Sequence, residues 1–184
     1  DPRIKARFLP ENLGIAGNSN AAAALATGEW LVLLDHDDTL APFALFEIVK
    51  ACNAHPDADV IYSDEDKLDA QNRRCEPFFK PDWSPDTLRS YNYAIHCSAY
   101  RKTVFDAVGG FRTGFDGSQD YDLNLRMTER ARQIVHLPAI LYHWRIHALS
   151  IASNSAVKAY AYPAAQRALR EHLQRTGLQG QVTD

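Results

Sequence analysis

The chain has 184 residues, 46% hydrophobic and 23% charged, with a formal net charge of −3. That size suits one domain over 1–184 with a core of its own, and the weak acidity excludes electrostatic capture of nucleic acid. No apolar run is long enough for a membrane span, and the N-terminus does not read as a signal peptide. Cys52, Cys75 and Cys97 are odd in number and widely spaced. They fit neither a disulfide framework nor a zinc cluster, which points to a reducing cytoplasm.

In chain order, residues 4–9 alternate like a short strand, and residues 10–14 turn the chain. The Ala-rich stretch 15–26 predicts a helix capped by Gly28. Residues 30–34 predict a buried strand. Pro42 opens a second helix whose buried side is read as Phe43, Leu45, Phe46, Ile48 and Val49. A strand over 59–63 follows. Helices alternating with apolar strands predict a mostly parallel sheet. Beyond it, residues 66–75 read as a hairpin or loop, and Ser84-Pro85 caps a short helix to about residue 90. Residues 95–100 read as a strand, 102–108 as a helix stopped by Gly109-Gly110, and 112–119 as a loop. Residues 121–132 read as a helix, 134–137 and 141–145 as strands, and 160–176 as an amphipathic helix closed by Gly177.

The stretch with most chemical content is EWLVLLDHDDTL, residues 29–40. An apolar strand runs directly into Asp35, His36, Asp37 and Asp38. Three carboxylates within four residues raise one another's pKa unless a cation lies between them. An oxygen-preferring divalent ion, Mn²⁺ or Mg²⁺, relieves that repulsion. Ligands of open α/β sheets gather at carboxyl strand ends, where this cluster falls. Three further polar groups lie at element ends: Ser63–Lys67 (SDEDK), Gly117–Asp122 (GSQDYD) and Tyr142–His147 (YHWRIH). Asp120 suits a helix N-terminus by charge alone. His143 and His147 have the spacing of a helical zinc pair, but the strand-like residues between them and the lack of an HExxH glutamate argue against zinc.

The segments ENLGIAGNSNAAAALATGEWLVLLDHDDTL, YSDEDK, FKPDWSPDTL, VGGFRTGFDGSQDYDLNLR and LYHWRIH, in that order, together resemble the catalytic domain of family-two glycosyltransferases. The resemblance is to the inverting GT-A type, in the bacterial branch that builds O-antigen and related surface polysaccharides. It covers residues 12–172 and implies an α/β fold with a mixed, mostly parallel sheet flanked by helices. It implies metal-dependent inverting transfer of a sugar from a nucleotide-diphosphate sugar to a glycan or lipid-linked acceptor. Under it, Asp35 and Asp37 hold the cation on the donor diphosphate, assisted by Asp38. Asp120 is the general base, with Gln119 in place of the family's usual Glu. His143 lies near the metal and the leaving diphosphate, Arg145 near the phosphates. Asn12, Gly17 and Asn20 run beside the nucleotide, and Trp83, Gly110 and Phe111 face the acceptor.

The family's opening strand with its Pro-x-Tyr-Asn-like motif, and the next strand with a base-reading aspartate, have no counterpart here. With Asp1 in place of Met, this predicts a chain truncated at its first βαβ portion, weak in nucleotide binding and inactive unless another chain supplies the rest. It also predicts an open sheet edge available for homo-oligomer pairing. A cytoplasmic location follows, with peripheral association at the inner membrane through the parent protein. Two other readings compete. DHDDT also fits the haloacid-dehalogenase phosphatase motif, with Asp35 as nucleophile, Asp37 as acid/base, Thr39 on the phosphate, and Lys67 with Asp120 or Asp122 completing the site. The chain also reads as an inactive nucleotide-sugar-binding remnant.

Overall fold

A computed structural model of the chain describes residues 1–146 and 161–183. Among them the elements are α1 (Gly14–Ala23), β1 (Trp30–Val32), β2 (Thr39–Leu40), α2 (Ala44–Ala54), β3 (Ala58–Leu68), β4 (Arg74–Phe78), α3 (Pro85–Ser90), β5 (Ala99–Arg101), α4 (Lys102–Ala107), α5 (Gln119–Arg130), β6 (Gln133–Arg145) and α6 (Ala161–Thr176). The predicted start of the last helix at Tyr160 lies outside the described residues, as does His147.

The strands form one sheet in the order β1-β5-β3-β6-β2, with β4 paired to β3. The expected α/β class holds, but the expected strand direction does not. Only β3 and β6 pair in parallel; the pairs β1–β5, β3–β5, β2–β6 and β3–β4 are antiparallel. The reason is an insertion: β5 lies between β1 and β3 and runs against both. The βαβ unit formed by β1, α2 and β3 therefore keeps its two strands co-directional without letting them touch. With β6 parallel to β3, the carboxyl ends of β1, β3 and β6 all open on one side of the sheet.

The sheet is buried on both faces, which is why β3 opens with a continuous run of buried residues. On one face Ala44, Ile48 and Ala51 of α2 pack against Ile61, Ala99, Leu141 and Tyr142. On the other, Val60 and Tyr100 meet Ala16, Phe105, Phe111, Leu123 and Met127, while Tyr62, Leu88, Tyr121, Leu125, Ala164 and Ala168 join α3, α5 and α6. The buried side predicted for α2 is corrected except at Ile48. Phe43, Leu45, Phe46 and Val49 are exposed, and the stripe that enters the core is 44, 48 and 51. Two alanines in that stripe let the helix lie close to the sheet, so side-chain size misled where spacing did not.

Other expectations shift in detail. Residues 4–9 pair with no strand among the described residues, and Phe8 is 96% exposed. The segments 134–137 and 141–145 are one strand, β6. Its register against β3 jumps from Ser63↔Leu137 to Asp64↔Ile140, and the bulge takes up Pro138, which has no N–H to donate. SDEDK lies within β3, which runs on to Leu68 and returns through the hairpin to β4. Ser84 caps α3 by accepting from the Thr87 N–H at 3.3 Å, and Gly109 and Gly110 stop α4 with φ of 83° and 65°.

One ion cluster ties the helical layer together. Asp122, fully buried, accepts from Arg126 at 2.6 and 2.9 Å and from Arg112 Nε at 3.1 Å; Arg112 also donates to Glu171 of α6 at 2.7 Å. Removing one member of a buried ion cluster strands the charge of its partner. We expect Asp122→Ala to destabilise the fold by about 3–5 kcal/mol; a urea denaturation midpoint equal to wild type would refute this.

Candidate active site

The loop after β1 delivers the first carboxylates. Leu33 N–H still bonds to Ser98 O at 3.2 Å, and the chain then turns, with Asp38 N–H donating to Asp35 O at 3.2 Å. The turn points its acids in different directions. Asp38 is buried, accepting at Oδ2 from the Tyr142 hydroxyl at 2.5 Å and at Oδ1 from the Arg145 N–H at 2.8 Å. Tyr142 Oη also accepts from the Asp35 N–H at 3.3 Å, so one β6 tyrosine sets both ends of the turn. Asp35 opens onto the cleft. Asp37 turns aside, 3.7 Å from the exposed His36, and its carbonyl accepts from Arg145 Nε at 2.8 Å.

A cleft of about 380 Å³ lies beside this turn. Its walls include Ser19 and Ala22 of α1, Leu31–Asp35, His96, Phe111, Gln119, Asp120 and Tyr142. Asp35 and Asp120, far apart in sequence, thus share one cavity. Asp120 sits in the first turn of α5, where its carboxylate accepts from the Tyr121 N–H at 2.8 Å. Burial pushes its pKa up and Asp35 adds to the rise, against the pull of His96 and the backbone N–H. The Asp35 carboxyl is also raised, by burial first and then by Asp38. Beside Asp120, the Gln119 side-chain oxygen is buried with no partner among the described residues.

One oxygen each of Asp35 and Asp38 and a ring nitrogen of His96 lie within 4.8 Å of one another. Carboxylate oxygens with an imidazole nitrogen make a donor set for a divalent ion, and a raised Asp35 is the electrostatic strain such an ion relieves. Asp38 retains lone pairs beyond its two hydrogen bonds. Asp37 and His143 do not join this group. Alternation along β6 puts His143 on the face opposite Tyr142, where its Nδ1 lies 2.5 Å from Asp66 Oδ1, and Arg74 closes on the same carboxylate.

The remaining predicted residues divide. Asn20 braces the cleft wall: its amide donates to Phe111 O at 2.8 Å and accepts from Phe111 N–H at 2.9 Å. Gly110 passes beneath it so closely that a Cβ would meet the Asn20 side-chain oxygen at 2.5 Å. Phe111 lines the cleft. Asn12 caps the turn into α1 and lines a separate groove with Lys5 and Arg7, and Gly17 packs against Leu13. Arg145 is tied to the 36–38 turn and to Asn72. Trp83 borders a different cavity, of about 130 Å³, with Leu88 and His172.

His96 and Tyr142 were missed. IHCS reads as strand, yet His96 and Cys97 have φ of 55° and 52°, a left-handed kink before β5. His is enriched there but positive φ is uncommon for any non-Gly residue, and Cys gives no such signal. Tyr142 was visible only as an apolar strand residue.

Residues 1–109 match the family model for Glycosyl transferase family 2. The chain belongs to that family. It is 45% identical over 183 residues to the O-antigen biosynthesis protein RfbC of Myxococcus xanthus, covering 100% of this chain and 14% of that protein. Such curated relatives are thus several times longer than the chain. Among solved structures, Staphylococcus aureus TarS 1–349 in complex with UDP-GlcNAc superposes with a TM-score of 0.68 at 18% identity, over 87% of this chain and 47% of that one. The mannosyltransferase PcManGT from Pyrobaculum calidifontis, in complex with GDP-Man and Mn²⁺, gives 0.57 at 19% identity, over 95% and 46%. The fold is therefore of the GT-A type. Family membership removes support for the phosphatase reading. Two of its residues are also engaged elsewhere: Lys67 pairs with Glu76 at 2.5 Å, and Asp122 is locked between arginines.

Asn20 is a brace that can be tested alone. We expect Asn20→Ala to leave the buried Phe111 N–H and C=O unsatisfied and to cost about 1–3 kcal/mol; an unchanged denaturation midpoint would contradict the brace.

Proposed function

We propose that this chain carries the catalytic centre of an inverting, cation-dependent glycosyltransferase of bacterial surface-polysaccharide synthesis. Its donor is a nucleotide-diphosphate sugar and its acceptor a glycan or lipid-linked saccharide. The supporting observation is the shared cleft: a half-buried carboxylate, Asp120, lines the same cavity as Asp35 and His96 of the Asp35–Asp38–His96 group. TarS and PcManGT, which have the same fold, hold UDP-GlcNAc and GDP-Man in their structures. No helix among the described residues is long and apolar enough to cross a membrane; attachment to the membrane face would come through the rest of the protein.

In this reading Asp35 and Asp38 would hold Mn²⁺ or Mg²⁺, which when bound would supply Lewis-acid neutralisation of the departing diphosphate. Tyr142 and the Arg145 N–H fix Asp38, so the pair enters the reaction already oriented. Asp120 takes the proton from the acceptor hydroxyl as its oxygen attacks the anomeric carbon. The bond from that carbon to the diphosphate breaks on the opposite face, and the configuration inverts. Gln119, an acceptor in want of a donor, suits a neighbouring hydroxyl of the incoming sugar.

The base must be ionised to act, and its pKa is raised. The acid limb of kcat/KM therefore lies above the ordinary carboxylate range. The same shift has a stability consequence. A carboxyl whose folded-state pKa exceeds its unfolded value favours the fold below the unfolded pKa, and that contribution is lost as pH rises through the folded value. Ionised Asp120 thus strains the fold near neutral pH. In the full-length protein, Asp120→Asn should lower kcat by about 10²–10⁴-fold, remove the acid limb, leave Mn²⁺-dependent nucleoside-diphosphate affinity in place, and raise the melting temperature at pH 7. Turnover that survives the substitution would exclude Asp120 as base. A wild-type protein that binds sugar nucleotide but never turns over would favour the remnant reading.

A further inference from the structure

Behind the cleft lies a buried ion pair that the reaction just described does not use. Lys80 has a side chain with no exposed surface, and its Nζ lies 2.9 Å from Glu65 Oε2. Burying an ammonium is costly unless it is paired and fully hydrogen-bonded. Its remaining hydrogens go to two successive carbonyls, those of Ile95 and His96. Those carbonyls lie where the chain enters its left-handed kink at His96 and Cys97. Glu65 Oε2 in turn meets His96 Nδ1 at 2.9 Å. A carboxylate oxygen accepts, so Nδ1 is the ring nitrogen that donates to Glu65, and Nε2 is the one left for another partner. The ring plane is set as well: His96 stacks on Tyr142 at 4.9 Å and 16°, and on Trp144 at 5.7 Å and 28°.

Backbone, ring plane and Nδ1 partner of one histidine are thus each fixed, and that histidine stands beside Asp35 and Asp38. A carboxylate behind an imidazole is the arrangement that orients a metal-binding histidine and makes it more basic. We propose that His96 is the nitrogen donor of the cation site, that Glu65 and Lys80 are its positioning residues, and that this donor makes the site take Mn²⁺ and similar transition-metal ions over Mg²⁺. The selectivity follows from chemistry: imidazole suits first-row transition ions, whereas Mg²⁺ prefers oxygen throughout. The inference rests on the reading that Asp35 and Asp38 hold a cation.

The test uses Mn²⁺ alone, without sugar nucleotide. Mn²⁺ affinity is measured by titration, and nitrogen coupling to the bound ion by electron spin-echo modulation. Wild type should show a histidine nitrogen signal. His96→Ala should lose that signal and bind Mn²⁺ about 10–100-fold more weakly, with Mg²⁺ affinity little changed. Lys80→Met should weaken the signal and Lys80→Arg restore part of it, which a purely structural lysine would not do; circular dichroism checks that each variant is folded. His96→Gln, at a part-exposed position, keeps the test open if the Lys80 variants do not fold. A wild-type signal without nitrogen, or one that survives His96→Ala, overturns the inference and leaves the Asp35–Asp38 reading standing. Failure of wild type to bind Mn²⁺, with Asp35→Asn no different, overturns both.

Discussion

Negative charge held in a confined space is the constraint on which this structure turns. Asp35 and Asp38 share the end of one strand, and Asp120 faces the same cleft from the start of α5. Desolvation raises both Asp35 and Asp120 above the ordinary carboxylate range, with Asp38 adding to the rise at Asp35 and Asp35 adding to it at Asp120. On the proposed reading such a centre would take a cation at one end and a proton at the other. Both requirements of glycosyl transfer from an activated donor are of that kind, neutralising a departing diphosphate and deprotonating a hydroxyl.

The architecture exists to bring those acids together. Because β5 separates β1 from β3 while leaving them co-directional, the ends of β1, β3 and β6 open on one side, and the kink before β5 enters the same space. β6 contributes through both faces: Tyr142 fixes Asp38 and stacks on His96, while His143 turns away to Asp66. Alternation along β3 does the same for SDEDK. Glu65 reaches His96, whereas Asp64 meets His136 at 2.8 Å and Asp66 meets His143. The buried clusters farther from the cleft, Asp122 with its two arginines and Asp59 with Arg101 and Arg132, carry no chemistry of this kind and hold layers together.

Much of this was legible in the residues, for identifiable reasons. An apolar run that ends in carboxylates marks a strand end, and Asp120 followed by a helical stripe marks a helix start; both depend on local pattern alone. The α/β class and most helices followed from spacing. Strand direction did not, because the insertion of β5 between β1 and β3 is a property of pairing partners distant in sequence. Nor did the buried side of α2, where small residues won the interface over large ones. Which acids gather beside His96 was hidden for a related reason. Asp37 and Asp38 cannot be told apart in sequence; Tyr142 and Arg145 hold Asp38 near Asp35, and they stand more than a hundred residues away. His96 was hidden because a left-handed kink made by His and Cys leaves no turn signature.

The central claim is that the acids closing β1 hold a cation facing Asp120, and crystallography at the manganese absorption edge tests it most directly. Crystals grown with Mn²⁺ and a nucleoside diphosphate should show one anomalous peak in contact with Asp35 and Asp38, on the side of the cleft that faces Asp120. A peak elsewhere with that pair unligated, or no peak at saturating Mn²⁺, would contradict the account.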